Sequence, residues 1–415
     1  MSIDAEVELL IVGAGPHGLS SALHLVEADP SLRHQMAVVD PDGWLGRWDR
    51  QFAQLDIAHL RSPAVHHPGP DASTFSRWCA EEGVSLERPY GIPDATAFRA
   101  HCAHLISDAG LEEAVTPTSV HRIGVTEGDV TALLTDGTTI RARHVVLAVN
   151  PARRRLPNWV FDVLPVPGSA LDHAGDVDLR DVSLDAEHVV VVGGGLTAGH
   201  LAVGAARRGA HVTLLARRPL RSSMFDTDPG WLGPRELNGF TAIADPRARL
   251  SACRAARNGG SMPPWMLHRI RSLSAAGAVD VRAPARICGA QRAGIGLDLV
   301  LGDETVLHAD RVWLATGTDS DVRAHRLTAP LLESHPTPVC DGFPVLDETL
   351  RWPGTSVHLI GRPAMLTLGP AAGNLWGARM GARAITAHLT GRPVGAIEAP
   401  AAPLMGRGWC GPVWA

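Results

Sequence analysis

An α/β fold built from two similar units is predicted by three observations in this 415-residue chain. Two apolar runs each lead into a glycine-rich turn, Gly13-Ala14-Gly15-Pro16-His17-Gly18 and Gly193-Gly194-Gly195-Leu196-Thr197-Ala198. Each turn opens a helical stretch that ends in a second apolar run. Each module is then trailed by a hairpin pattern and a closing apolar strand, which unrelated glycine loops would not supply twice. With 45% apolar and 20% charged residues, the chain has a globular balance and length for two or three cores.

The first module starts with Val7, Leu9, Leu10, Ile11 and Val12 as a buried strand. In the turn, Gly13 permits the tight bend, Gly15 lets backbone N–H groups approach a pyrophosphate, and Gly18 lets the helix pack on the strand. Met36 to Val39 forms the next strand, and Asp40, twenty-two residues after Gly18, stands where an acid accepts from a ribose hydroxyl. Strand, turn, helix and acid together predict a dinucleotide site, which the glycines alone would not. The trailing segment, Ser119 to Asn150, turns at Asp136-Gly137 and closes with His144 to Val149.

The second module repeats the order from Val189 through Gly193, Gly195, Leu196, Thr197 and Ala198 to Leu215, and alanine at the third position is allowed by the pattern. Here no acid follows. Arg217 and Arg218 take its place, and guanidinium groups there suit a 2′-phosphate, so NADPH is preferred to NADH. Its trailing segment, Ala285 to Thr318, closes with Ala309 to Gly317.

Composition excludes other classes. A formal net charge of -5 offers no basic field, and Arg153, Arg154 and Arg155 read as a solvated turn, so no nucleic-acid partner is expected. An acidic start with no basic n-region, and no apolar stretch of spanning length, leave no signal peptide or membrane partner to expect, and place the chain in the cytoplasm. The six cysteines are scattered, with neither C-x-x-C nor metal-ligand spacing, so no metal is expected. All 38 basic residues are arginine; Schiff-base catalysis and a Walker A lysine are therefore excluded.

The doubled module, with its Leu-Ala-Thr-Gly strand end, resembles the two-dinucleotide-binding flavoproteins, including flavin-containing monooxygenases and the lysine and ornithine N-hydroxylases. That resemblance implies two Rossmann-like domains, the second inserted into the first: an FAD-binding domain at 1–165 and 320–415, and an NAD(P)H-binding domain at 166–319. It implies FAD contacts from Gly13, Gly15, Pro16, His17, Gly18, Asp40, Val120 and Ala148, and NADPH contacts from Gly193, Gly195, Leu196, Thr197, Ala198, Arg217, Arg218, Thr316 and Gly317. Gly43-Trp44-Leu45-Gly46-Arg47-Trp48 looks like the monooxygenase loop against the flavin, and Arg61 belongs to a stretch similar to an N-hydroxylase segment. Pro93 to His101, with Phe98 central, looks like the short Arg-x-x-Phe-x-x-Tyr element of those enzymes with His101 where tyrosine is usual, and Leu171 to Asp176 like a degenerate linker fingerprint around His173. Gly361 matches a strand end normally followed by an acid, where this chain has Arg362; Gly369, Pro370 and Asn374 open a helix toward the flavin.

What the resemblance implies is an FAD- and NADPH-dependent oxidoreductase, with a monooxygenase cycle through a C4a-hydroperoxyflavin favoured, a small-molecule substrate and molecular oxygen. Two alternatives stay open: an NADPH dehydrogenase serving a quinone, a small disulfide or a protein, and an FAD-binding sensor or scaffold. No catalytic side chain is assigned, because the cofactor carries the chemistry. Substrate-facing residues are expected from His59 to His101 and from Met224 to Trp265. A homo-oligomer is among the expected assemblies, and the tail from Pro400 to Ala415, rich in Pro, Gly and Trp, is expected either to pack across an interface or to fray.

Overall fold

The computed structural model describes residues 3–126, 128–164 and 170–392. The first copy opens with β1 (Ala5–Val12), whose last four residues are buried, and α1 (Pro16–Ala28), where proline occupies a position whose missing N–H costs nothing. β2 (Met36–Val39) runs parallel to β1. The helices α2 (Gly46–Gln54), α3 (Thr74–Glu81) and α4 (Ala95–Asp108) follow, and β3 (Val115–Thr116) then pairs with β2. The predicted hairpin appears as β4 (Val120–Val125) and β5 (Val130–Leu134), and β5 passes antiparallel into β6 (Thr139–Leu147).

β6 is long enough to do two jobs. One edge pairs with β1 along nearly its whole length, and the other takes β5 near its start. β7 (Ala152–Arg154) and the short α5 (Val160–Val163) lead out of this unit. Arg153 and Arg154 are thus strand residues, and the solvated turn expected for them is corrected: backbone pairing across the crossover, described below, fixes them, although their side chains stay exposed.

The second copy contains β8 (Leu171–His173), β9 (His188–Val192), α6 (Leu196–Arg207) and β10 (His211–Leu215). After β11 (Arg221–Ser222) the chain leaves through α7 (Pro234–Thr241) and α8 (Pro246–Ala256) and returns at β12 (Ser261–Met262), which pairs parallel with β11. α9 (Pro264–Ala275) and β13 (Val279–Arg282) complete that side. β14 (Ile287–Ala293), β15 (Gly296–Leu301) and β16 (Val306–Ala309) form a separate antiparallel sheet. β17 (Arg311–Leu314) then enters between β9 and β8, giving the order β13-β10-β9-β17-β8.

The two closing strands differ at one residue. Asp310 interrupts the second one, its Oδ2 accepting from the His188 N–H at 2.7 Å, so meander and parallel sheet separate where β6 joins them. The return crossing is β18 (Thr318–Ser320), antiparallel to β7. α10 (Thr328–Ser334) and the pair β19 (Val339–Cys340) and β20 (Phe343–Pro344) precede β21 (Val357–Leu359), which pairs with the end of β6. α11 (Met365–Leu368) and α12 (Leu375–Thr390) follow, α12 packing on α1.

The first sheet therefore has the order β3-β2-β1-β6-β5-β4, with β21 beside β6, and the whole second sheet lies between β6 and β21 along the chain. Leu10, Ile11, Val38, Val145 and Val146 are fully buried in the first core, and Val189, Val191 and Leu214 in the second. Each such side chain contributes about 1.5–3 kcal/mol by leaving water. Among the described residues, no helix is long and apolar enough to cross a membrane, and no group of three His, Cys, Asp or Glu side chains suits a metal ion. The tail from Pro400 to Ala415 and the Pro165–Pro167 hinge region lie outside the described residues.

Candidate functional site

At the end of β1, Gly13 takes φ 103°, and a Cβ there would stand 2.7 Å from the Ala148 carbonyl oxygen. A Cβ on Gly18 would stand 1.9 Å from the Gly13 carbonyl, so close helix–strand packing requires glycine. Gly15 has nothing within 4 Å of its added Cβ, and it caps α1 without any side-chain hydrogen bond. With no side-chain cap, the first N–H groups of that helix are left to an outside acceptor beside the cleft that Gly15 lines, as an anion site needs. Asp40 accepts from the Ala14 N–H and the Asp42 N–H, both at 2.8 Å, which ties the acid to the turn itself.

The second turn has the same skeleton. A Cβ on Gly193 would lie 2.4 Å from the Ala315 carbonyl, matching the Gly13–Ala148 approach. Ala198 is fully buried, and Leu196 opens α6. Over this turn lies the Gly259-Gly260 loop, whose Gly260 Cα would be 3.4 Å from a Cβ on Gly195. Arg217 and Arg218 follow β10, and among the described residues neither has an acidic partner.

Both turns open on one cleft of about 2580 Å³. Of the residues singled out in the sequence, Gly13, Gly15, Asp40, Arg47, Arg61, Val120 and Ala148 line it from the first unit. From the second come Gly193, Gly195, Leu196, Thr197, Arg217, Arg218, Thr316 and Gly317. Gly46, Trp48, Gly361, Gly369, Pro370 and Asn374 are not among its lining residues, nor are Pro16, His17, Gly18 and Ala198. Trp48 stacks on Phe52 at 3.7 Å and meets Phe98 at 4.9 Å, packing into the first core. Asn374 caps α12 by accepting from the Gly377 N–H at 2.9 Å.

Two histidines brace this region as neutral rings. His17 donates from Nε2 to the Ala372 carbonyl at 3.2 Å, and a Cβ on Gly361 would be 3.3 Å from its ring. His173 accepts from the Gly175 N–H and donates to the Gly317 carbonyl at 3.3 Å. Burial lowers the pKa of both rings below the ordinary histidine value, which favours these neutral roles.

Sequence reasoning missed how the excursion between β11 and β12 is fastened to the first unit. Arg61 donates to the carbonyls of Ser223 and Met224 and to Ser261 Oγ, at 2.8–2.9 Å. Arg249 donates to the Leu366 carbonyl, Arg257 to the Pro370 carbonyl, and Arg254 pairs with Asp341. Phe240, Leu250, Cys253, Phe343, Met365 and Leu366 share a small core across the same contact. Charged side chains reaching distant carbonyls leave no periodicity to read; only the Phe225–Trp265 aromatics hinted at this region. Tyr90 meets Phe225 edge-on at 5.3 Å, which joins the two segments expected to face a substrate.

The crossover is also held by charge: Arg154 pairs with Asp176, and Arg155 with Asp319. Arg362, beyond Gly361, lines the cleft and donates from Nη1 to the Thr318 carbonyl at 3.3 Å.

A family model described as pyridine nucleotide-disulphide oxidoreductase matches residues 7–229, more than half of the chain. No curated protein matches it by sequence. Among solved structures, the reduced form of ornithine hydroxylase from Pseudomonas aeruginosa is similar with a TM-score of 0.74 at 15% identity, over 93% of this chain and 99% of that one. An FAD-bound cadaverine monooxygenase from Erwinia amylovora is similar at 0.73 and 14% identity, over 96% and 97%. A bacillithiol disulfide reductase from Bacillus cereus is similar at 0.58 and 16% identity, over 93% and 99%. At these identities the likeness is one of fold.

Proposed function

The chain belongs to the pyridine nucleotide-disulphide oxidoreductase family, and we propose that it is an FAD- and NADPH-dependent monooxygenase acting on a small molecule. In this reading the segments 1–165 and 320–415 hold FAD, and 166–319 hold NADPH. The open face at Gly15 and the uncapped start of α1 fit a diphosphate, and so does the start of α6. FAD and NADPH, when bound, supply hydride transfer and oxygen activation.

The chain's own part is to align the two dinucleotides and to exclude water. Gly13, Gly15 and Asp40 shape the first turn; Arg217 and Arg218 offer forks to a 2′-phosphate at the second. His173, at the end of β8, donates to the Gly317 carbonyl just before the return crossing and so ties the second sheet to it.

The observation that carries the oxygenase reading is the fastening of residues 223–260 to the first unit by Arg61, Arg249 and Arg257. A reductase relay needs a second acceptor to reach the reduced centre, whereas an oxygenase needs walls that screen that centre from water, which would divert oxygen to hydrogen peroxide, and Arg61, Arg257 and Asn258 of this fastening line the cleft. Rapid mixing of NADPH-reduced protein with oxygen tests this. A transient spectrum distinct from oxidised and reduced flavin is expected; direct return to the oxidised spectrum would sink the oxygenase reading.

A reductase is the second reading, favoured by Cys288, which is exposed and lines the same cleft. Cys288→Ser abolishing electron transfer to small disulfides would establish it.

A further inference from the structure

Charge in the cleft is lopsided. Fifteen arginine and seven aspartate side chains line it, an excess of eight positive charges in a chain of formal net charge -5. Two diphosphates and one 2′-phosphate bring about six negative charges. Water screens the arginines on the rim, and Arg61, withdrawn from it, is satisfied by three acceptors, so the decisive group is the one both withdrawn and unmatched.

Arg362 is that group. Apart from the Thr318 carbonyl it has no hydrogen-bond acceptor among the described residues, and its buried Nε has no partner at all. Its charged neighbours are Arg257, Asp319 and Arg155. Asp319 is already held by Arg155, and Arg257 is paired with Asp226 at 2.9 Å. One guanidinium is therefore left without a counter-ion in a site of restricted hydration, where an unmatched cation is costly.

Three parts of the molecule meet around it: Arg362 follows β21, Thr318 lies in the return crossing, and Arg257 ends the excursion. Phe343 and Met365 add an apolar wall to the same stretch of cleft. Arg362 reaches toward the crossing, whereas in the proposed reading the first diphosphate is taken by the open start of α1 at Gly15. An acid at this position, as the resemblance leads one to expect, would repel an anion that arginine attracts.

We propose that Arg362, with Arg257 beside it, recognises an anionic group on the substrate, a carboxylate or similar planar oxyanion gripped by the guanidinium fork. This deepens the oxygenase reading and rests on it for the word substrate. The anion site itself does not depend on which reaction follows.

Calorimetric titration of benzoate, with benzamide as its neutral counterpart, into protein loaded with FAD and NADP+ tests the site. Benzoate should bind at least tenfold more tightly than benzamide, and Arg362→Gln should remove that preference while FAD affinity stays within about twofold of the parent. Arg362→Lys should keep part of the preference, and Arg235→Gln, on an exposed side chain outside the cleft, should keep all of it. Equal binding of benzoate and benzamide to the parent protein overturns the proposal without any variant. So does a tenfold loss of FAD affinity in Arg362→Gln with benzoate binding intact, because the anion would then be the cofactor's own. Should the chain take up no FAD, the two-cofactor reading fails, and the same pair of titrations on the unloaded protein still decides the anion site.

Discussion

The two glycine turns share a backbone plan and differ in what surrounds it. At the first, Gly15 faces open cleft and the acid Asp40 is bound into the turn. At the second, the Gly259-Gly260 loop lies over Gly195, and arginines replace the acid. The third position differs too: Gly18 is pressed against the Gly13 carbonyl, whereas the second helix already carries Ala198 there. The same backbone plan is thus left open at the first turn and covered by a loop at the second.

The largest test of that contrast is at the third position. Gly18→Ala should weaken FAD binding more than about 100-fold, roughly 2.7 kcal/mol, because the backbone must move. Ala198→Gly should leave NADPH affinity within about threefold; equal losses at both turns would erase the distinction. Next in size, Arg217→Ala should weaken NADPH about tenfold while NADH is unaffected, the scale of one charge-assisted hydrogen bond. Steady-state KM values for the two nucleotides measure it, and parallel losses would remove the 2′-phosphate assignment.

Acid should separate the units. Burial holds His24 and His67 down to about 3, and His66, His101 and His358 to about 4, all in the first unit, while His200, also about 4, is in the second. These rings are neutral when folded and protonate near 6.5 when unfolded, so their contribution is whole above pH 6.5 and is lost progressively as pH falls toward 4. His101 is fully buried with neither ring nitrogen partnered, stacked on Phe75 at 4.5 Å. His101→Phe should recover about 1–2 kcal/mol of the stability lost between pH 6.5 and 5. Thermal melts across that range check it, and an unchanged pH dependence would refute it. The smallest effect is expected at Gly260, φ 74°: Gly260→Ala should cost NADPH about fivefold, roughly 1 kcal/mol, and leave FAD binding alone.

Both turns, their flanking strands and the trailing hairpins were legible because each follows a local pattern of apolar period and glycine spacing. The break at Asp310 was not, since it depends on a hydrogen bond to His188 more than a hundred residues away. Neither was the strand at Ala152–Arg154, which looks like a charged turn until its partner Thr318–Ser320 is in place. The packing of Trp48 on Phe52 and Phe98 was not legible either, because apolar character alone does not say which neighbours an aromatic ring meets. Arg362 stood out in the sequence only as a missing acid; its isolation from any counter-ion emerges from the convergence of three distant segments.

That two different dinucleotides occupy the two turns is tested most directly by anaerobic titration of the flavin-reconstituted protein with NADPH. Stoichiometric loss of the yellow flavin absorbance is expected, one NADPH per FAD. A protein that takes up no flavin, or whose bound flavin keeps its colour under excess NADPH, would contradict the account.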